Sequence, residues 1–233
     1  MSTPIGSWPA SLQAIPCLLL EHGKVLRAGP QGPAPLLDDR GRSVDLFDVI
    51  DGLAAQHRTL YLVDLAGIDG HDPQLDYIQE VSRDVSLWVD AGVRNAEQAI
   101  DVIVAGAEKA TISGSRIEGP RELRHAWELS QNLLFEVEIW DGKMTPVDRA
   151  WGTTVPAALA AQVREVGPPE IVVSFRGTSP DWTLSTSIAA SGPTWIAGSV
   201  APADADAVAA SGARGAIYPL GDELMGWLRS EEG

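Results

Sequence analysis

Three carboxylates, Asp64, Asp90 and Glu138, stand at the ends of short apolar runs or within them, where each could exchange a proton with a ligand. Asp64 closes the run in YLVDLAG, and Asp90 follows Leu87–Val89. Glu136 and Glu138 alternate with Val137 and Ile139, so on a strand both point to the same side. A carboxylate aimed into a core is costly unless it is paired or close to an open end. Glu138 therefore reads either as a proton-transferring group at a mouth or as a salt-bridged glutamate, and Asp64 either as a wall of a site or as a structural hydrogen-bond acceptor. Beside them lie groups suited to an anion. Gly92 and Arg94, with Ser113, Gly114 and Ser115, combine close backbone approach, N–H groups at a helix start and a guanidinium that bonds bidentately. The same residues could equally be turn chemistry. A second set is Arg176-Gly177-Thr178 with Gly198-Ser199.

The elements that must position these groups follow from the apolar pattern. Buried strands are expected at Ile15–Leu20, Leu60–Leu65, Leu87–Val89, Ala110–Ile112, Leu133–Ile139, Ile171–Phe175, Thr194–Ala197 and Gly215–Tyr218. Helical spacing lies between them at Val44–Ala55, Asp76–Val81, Ala96–Ala105, Arg121–Ser130, Pro156–Val166, Trp182–Ala190 and Pro202–Ala210. Continuous apolar strands alternating with amphipathic helices mean an α/β fold with a parallel sheet buried on both faces. Eight such units fit a (β/α)8 TIM barrel, with a doubly wound open sheet as the competitor.

An internal repeat favours the barrel. LLLEHGKV (18–25) resembles VEIWDGKM (137–144), YLVDLAGI (61–68) resembles IVVSFRGT (171–178), WVDAGVR (88–94) resembles WIAGSVA (195–201), and AGAEKA (105–110) resembles SGARGA (211–216). The order is kept, so the chain reads as two (βα)4 half-barrels, and residues 1–233 as a single domain. The Pro/Gly-rich stretch Arg27–Arg42 is expected to be a flexible lid or disordered.

Composition excludes several roles. The 233 residues carry 17 Lys and Arg against 32 Asp and Glu, a net charge of −15. That balance argues against nucleic acid and against an anionic membrane surface as partners. It still permits a phosphorylated small molecule held by backbone N–H groups. One cysteine, Cys17, rules out an internal disulfide, and no His or Cys spacing implies a metal; no organic cofactor is implied either. The first residues, MSTPIGSWPASLQ, do not read as a signal peptide, and no run is long enough to span a bilayer, so a cytoplasmic location is expected.

With these motifs in hand, the chain resembles the histidine-biosynthesis barrels, the HisA/HisF superfamily. The resemblance runs from about Ile15 to Leu224. It is carried by IPCLLLEHGKVLR (15–27), LYLVDLAGIDG (60–70), WVDAGVRNAEQAIDVIVAGAEKATISGS (88–115), EIWDGKM (138–144) and AWGTT (150–154). Half-barrel duplication is a hallmark of that family. The resemblance implies phosphate cups at the two Gly/Ser/Arg sets above, a proton-transferring group at Glu138, and Trp151 as the tryptophan that stacks on the ligand's ring. Trp140 and Trp182 fall in neighbouring loops, so three indoles are expected around one mouth, either for a ring or for local packing.

The departures matter as much. The family's isomerase uses an aspartate on strand one and another on strand five; here these positions are Leu19 and Glu138. The strand-six aspartate is Ser174, retained as a ligand-binding candidate. Asp90 replaces a glycine, where it either opposes a phosphate or serves as a replacement acid or base. The Gly-Lys after strand eight is Pro219-Leu220, and proline donates no N–H. The chain therefore reads as a divergent paralogue. It would bind a phosphorylated, ring-bearing molecule and carry out isomerisation or related acid–base chemistry, with Glu138, Asp64 and Asp90 as the acid–base candidates. YLVDLAGI and WVDAGV also resemble barrels associated with pterin or furan coenzyme biosynthesis, which suggests a cofactor or metabolite pathway. The alternative is a non-catalytic barrel that binds a ligand or a partner protein.

Overall fold

A computed structural model of the chain describes residues 8–28, 32–38 and 40–220. Eight parallel strands form a closed barrel: β1 (Gln13–Glu21), β4 (Thr59–Asp64), β5 (Ser86–Asp90), β6 (Lys109–Ser113), β7 (Leu133–Trp140), β9 (Ile171–Arg176), β10 (Thr194–Gly198) and β11 (Gly215–Pro219). Closure comes from β11 pairing with β1 from Gln13↔Gly215 to Cys17↔Pro219. All eight expected strands are present. Around them lie α1 (Leu46–Ala54), α2 (Leu65–Gly70), α3 (Leu75–Val81), α4 (Ala96–Val104), α5 (Gly119–Leu129), α6 (Pro156–Val166), α7 (Trp182–Ala189) and α8 (Ala205–Ala210). The helices start where the sequence supplies a cap. Asn95 accepts from Gln98 N–H at the head of α4, and Asp181 accepts from Leu184 N–H at the head of α7. Among the described residues, the α-helix that periodicity missed is α2. Its sequence LAGIDG has two glycines and no amphipathic pattern, and it forms because Asp64 caps it.

The half-barrel repeat is visible in the backbone. The first strand of each half turns back in a hairpin, β1 into β2 (Lys24–Arg27) and β7 into β8 (Lys143–Met144). Both turns hold two residues at positive φ: His22 (47°) with Gly23 (74°), and Asp141 (47°) with Gly142 (76°). Two consecutive positive φ values make the tight turn that matches strand twist, and they explain the glycine in each EHGK and WDGK. The Trp88 and Trp195 that the repeat equates meet edge-to-face inside the barrel, with centroids 5.0 Å apart.

The Pro/Gly-rich stretch is not a free lid over its described part. Ala34–Pro35 form β3 against β2, Leu36 is buried, and Asp38 is paired with Arg42. Trp8, just before β1, packs on Tyr218 at 5.5 Å.

Two apolar layers hold the fold. One lies between strands and helices and includes Phe135, Phe175, Leu18 and Leu62. The other fills the barrel with Ile15, Tyr61, Trp88, Leu134, Val172, Trp195 and Ile217. At the N-terminal end of the barrel, Glu170 accepts from Lys109 (3.0 Å), Trp195 Nε1 (3.0 Å) and Arg214 (3.3 Å), and Lys109 lies 4.5 Å over the Trp88 ring. Burial raises the Glu170 carboxyl, but the bonds from Trp195 and Lys109 outweigh it and hold the group below its ordinary value. A depressed carboxylate stabilises the fold above its unfolded pKa and loses that contribution as pH falls through the folded one. Glu170→Ala is expected to lower unfolding stability at pH 7 by about 2 kcal/mol, since three hydrogen bonds to a charged group are lost. Urea titration should show the deficit shrinking towards pH 3.

Candidate active site

Several strands carry polar residues near the opposite, C-terminal face, and there three carboxylates and two guanidiniums meet. Asp90 ends β5, Ser113 ends β6, Glu136 and Glu138 lie on β7, and Arg176 ends β9. Parity puts both glutamates on the inner face of β7, as their alternation requires. Arg116, just beyond β6, reaches Asp90 at 2.8 Å, Glu136 at 3.3 Å and Glu138 at 3.5 Å. Arg176 stands 3.6 Å from each glutamate. Ser113 Oγ donates to Glu138 Oε2 at 2.8 Å, and Ser115 Oγ donates to the same oxygen. Asp90 also accepts from Gly92 N–H at 3.1 Å.

The two glutamates are driven in opposite directions. Burial pushes Glu136 up, the Asp90 and Glu138 charges push it further, and the two arginines only partly offset this, leaving it at about 7. Burial also raises Glu138, but Arg116, the Ser115 hydroxyl, Arg176 and the Ser113 hydroxyl outweigh it and hold Glu138 below its usual value. Burial works against both guanidiniums, yet the carboxylates around them keep both firmly charged. A carboxylic acid and a carboxylate on one strand face, with pKa values pushed apart, can serve as acid and base. Among the described residues, no group of three or more His, Cys, Asp or Glu could hold a metal ion.

Of the groups expected from sequence, Glu138, Asp90, Ser113, Ser115 and Arg176 come together here. Ser174 joins them, paired in register with Glu138, 3 % exposed and with its hydroxyl unpartnered. Asp64 lies outside the cluster. Its carboxylate caps α2 through Gly67 N–H (3.1 Å) and takes Gln74 N–H and Nε2 at 2.7 Å each. Arg94 donates to the carbonyls of Gly92 (2.6 Å) and Ile68 (2.8 Å), tying the loop after β5 to α2. A Cβ at Gly92 would fall 2.6 Å from Ile68 Cα, and one at Gly198 would fall 2.1 Å from the Phe175 carbonyl. Both positions need glycine for their own packing. Gly114 faces the Phe135 ring, while Thr178 and Ser199 lie on the outer loops after β9 and β10, with Ser199 N–H bonded to the Phe175 carbonyl.

The three indoles do not share one open mouth. Trp140 is exposed on its hairpin, Trp182 is half-buried, and Trp151 is buried edge-on to Phe135 at 5.6 Å in the layer outside the barrel. Leu19 does occupy the inner face of β1 at the mouth, packed on the barrel's apolar core. Two members of the cluster were not singled out as site residues from sequence. Glu136 carried a signal, its shared parity with Glu138. Arg116 carried none, because its direction depends on the turn after β6. A separate cleft of about 390 Å³, lined in part by His57, Arg58 and Arg83, lies near the starts of β4 and β5 and holds none of these groups. Barrel chemistry belongs to the other face.

With this geometry established, comparison with known proteins is informative. Residues 13–178, well over half of the chain, match the model of the histidine biosynthesis protein family. The chain belongs to that family. Among relatives of the histidine biosynthesis barrel, imidazole glycerol phosphate synthase subunit HisF of Corynebacterium diphtheriae is 32% identical over 128 residues, covering 54% of this chain and 46% of the relative. The 1-(5-phosphoribosyl)-5-((5-phosphoribosylamino)methylideneamino) imidazole-4-carboxamide isomerase of Halobacterium salinarum is 28% identical over 158 residues, covering 65% and 63%. The isomerase of that name from Methanococcus maripaludis is 30% identical over 97 residues, 40% of each chain. The matches thus span about half the length of these curated relatives. No helix among the described residues is long and apolar enough to cross a membrane.

Proposed function

We propose that this histidine-biosynthesis-type barrel is an acid–base enzyme of isomerase type, acting on a phosphorylated, ring-bearing small molecule. The observation that carries the reading is the Glu136–Glu138 pair, one carboxyl raised to about 7 and the other held low on the same strand face. Glu138 takes a proton from a carbon or hydroxyl of the substrate, and Glu136 returns one. This pairing supplies the second group that Leu19 removes from strand one. Asp90 and Arg116 set the charge of the pair. Phosphate is assigned to the outer loops, to the hydroxyls of Thr178 and Ser199, with Gly92, Arg94 and Gly114 framing the opposite loop, while Arg176 stays with the glutamates. The printed names of the relatives support this class: both carry phosphate and an imidazole, and one is an isomerase.

The test is hydrogen exchange in D2O, followed by proton NMR, over a panel of phosphoribosylamino and phosphosugar compounds. The expected result is exchange at a single substrate carbon that disappears in Glu138→Gln. Exchange that survives this substitution overturns the assignment. A non-catalytic barrel is the second reading, favoured by Leu19. It predicts binding, seen as a thermal shift with a phosphorylated compound, with no exchange in the wild type.

A further inference from the structure

Outside the barrel mouth, a groove of about 330 Å³ is lined by Phe47 of α1 and by Asp76, Tyr77 and Glu80 of α3. Two of its walls are aromatic and two are carboxylates. Phe47 is 38 % exposed, one of the large apolar side chains that the fold leaves uncovered. Tyr77 is half-buried and held in place. Its hydroxyl end lies against the β1–β2 turn, where a Cβ on Gly23 would collide with it. Asp76 and Glu80 are spaced i, i+4 on α3, so they share one face of it.

The charges at this groove favour a cation. No lysine, arginine or histidine lines it among the described residues. Glu80 draws Arg83 to 2.9 Å, but both side chains are more than half exposed, and such a pair is worth little and readily exchanged. Asp76 has no ion-pair partner among the described residues. The positive end of α1 is already met by Asp45, which caps it, and by Asp48 in its first turn. The aromatic walls narrow the cation to an organic one. A ring face attracts an ammonium, and the carbon chain beside that charge leaves water against the same ring. The apolar surface ends at the two rings. Asp48, Asp51 and Gln79 around them are exposed and polar, unlike the core of a protein interface, which is depleted of charge.

We propose that the groove between α1 and α3 is a binding site for a small organic ammonium ion, a free alkylamine in its charged form. The charge sits between Asp76 and Glu80, and the methyl or methylene groups lie on the Phe47 and Tyr77 rings. The site uses none of the carboxylates at the barrel mouth and stands independently of the acid–base reading.

Aromatic-ring NMR of the full chain tests this, because three Phe and three Tyr leave few signals to assign. Tetramethylammonium and n-butylammonium are expected to shift the Phe47 and Tyr77 ring signals saturably, with n-butanol and butyrate about fivefold weaker or more. A cation bound at the mouth carboxylates would leave those two rings still. Asp76→Asn should weaken both cations about threefold or more, and Tyr77→Leu, read at Phe47, should erase the preference for cations over n-butanol. Phe47→Ser, at an exposed position and read at Tyr77, serves if Tyr77→Leu does not fold. Ring signals that do not respond, an equal response to n-butanol, or cation binding unchanged in Asp76→Asn overturns the proposal. Tighter binding of a blocked lysine tripeptide than of n-butylammonium overturns the assignment to a free amine and makes the groove a protein-docking site.

Discussion

Arg116→Ala is expected to cost about 3–5 kcal/mol of unfolding free energy at pH 7.5, the range for leaving buried charges without their partner. Its side chain is 13 % exposed and contacts carboxylates that are 1 % (Asp90), 3 % (Glu136) and 9 % (Glu138) exposed. Without the guanidinium, burial and mutual repulsion act on all three, opposed only by Arg176, the two serine hydroxyls on Glu138 and the Gly92 N–H on Asp90. The glutamates then bind protons more tightly in the folded state than in the unfolded one. A carboxyl raised in this way destabilises the fold above its unfolded pKa and ceases to do so as pH falls below it. The deficit in guanidinium chloride titrations should therefore shrink from pH 7.5 towards pH 4.5. Adding Asp90→Asn to the alanine variant should recover a large part of the loss. A deficit that is independent of pH and insensitive to Asp90 would make Arg116 a packing residue rather than a charge clamp.

Glu138→Gln is expected to lower turnover by about 10²- to 10⁴-fold, the usual contribution of a positioned acid or base. Glu136→Gln should also slow the reaction, and its pH profile distinguishes the two roles. In the wild type, activity should fall as pH rises through about 7, where Glu136 loses the proton it must donate. On the acid side, activity should fall as Glu138 becomes protonated, below the ordinary glutamate range. Glu136→Gln removes the alkaline limb and keeps the acid one. An alkaline limb of unchanged midpoint in that variant would assign it to another group. The same shifts bear on stability. Glu136 alone makes the wild type less stable as pH rises from about 4.5 to 7, because the folded state holds its proton through that window. Glu138 acts oppositely: its contribution is present above the unfolded pKa and is lost as pH falls through its depressed folded value.

Sequence alone determined the architecture, and the reason is local. A strand buried on both faces must be apolar throughout, so Ile171–Phe175 and Leu133–Ile139 are readable without knowing their neighbours. The hairpin repeat at EHGK and WDGK is readable because two consecutive positive-φ positions demand glycine in each copy. Strand parity placed Glu136 with Glu138, and the family resemblance placed Leu19 at the end of the first strand. The tertiary structure decided the site. Whether Asp64 lines the mouth or caps α2 depends on one backbone step at the end of β4, where the chain leaves the strand for a helix too glycine-rich to announce itself. Trp151 goes to the outer layer because Phe135 and α5 offer it a packing surface there, and the loop sequence contains nothing of that. Arg116 lies 26 residues from Asp90 and 20 from Glu136 along the chain, and only the pairing of β6 with β5 and β7 brings it between them. The opposite shifts of the two glutamates have the same origin. They are equivalent by sequence, and they differ because one lies deeper, beside Asp90, and the other lies nearer the rim among Arg116 and two serine hydroxyls.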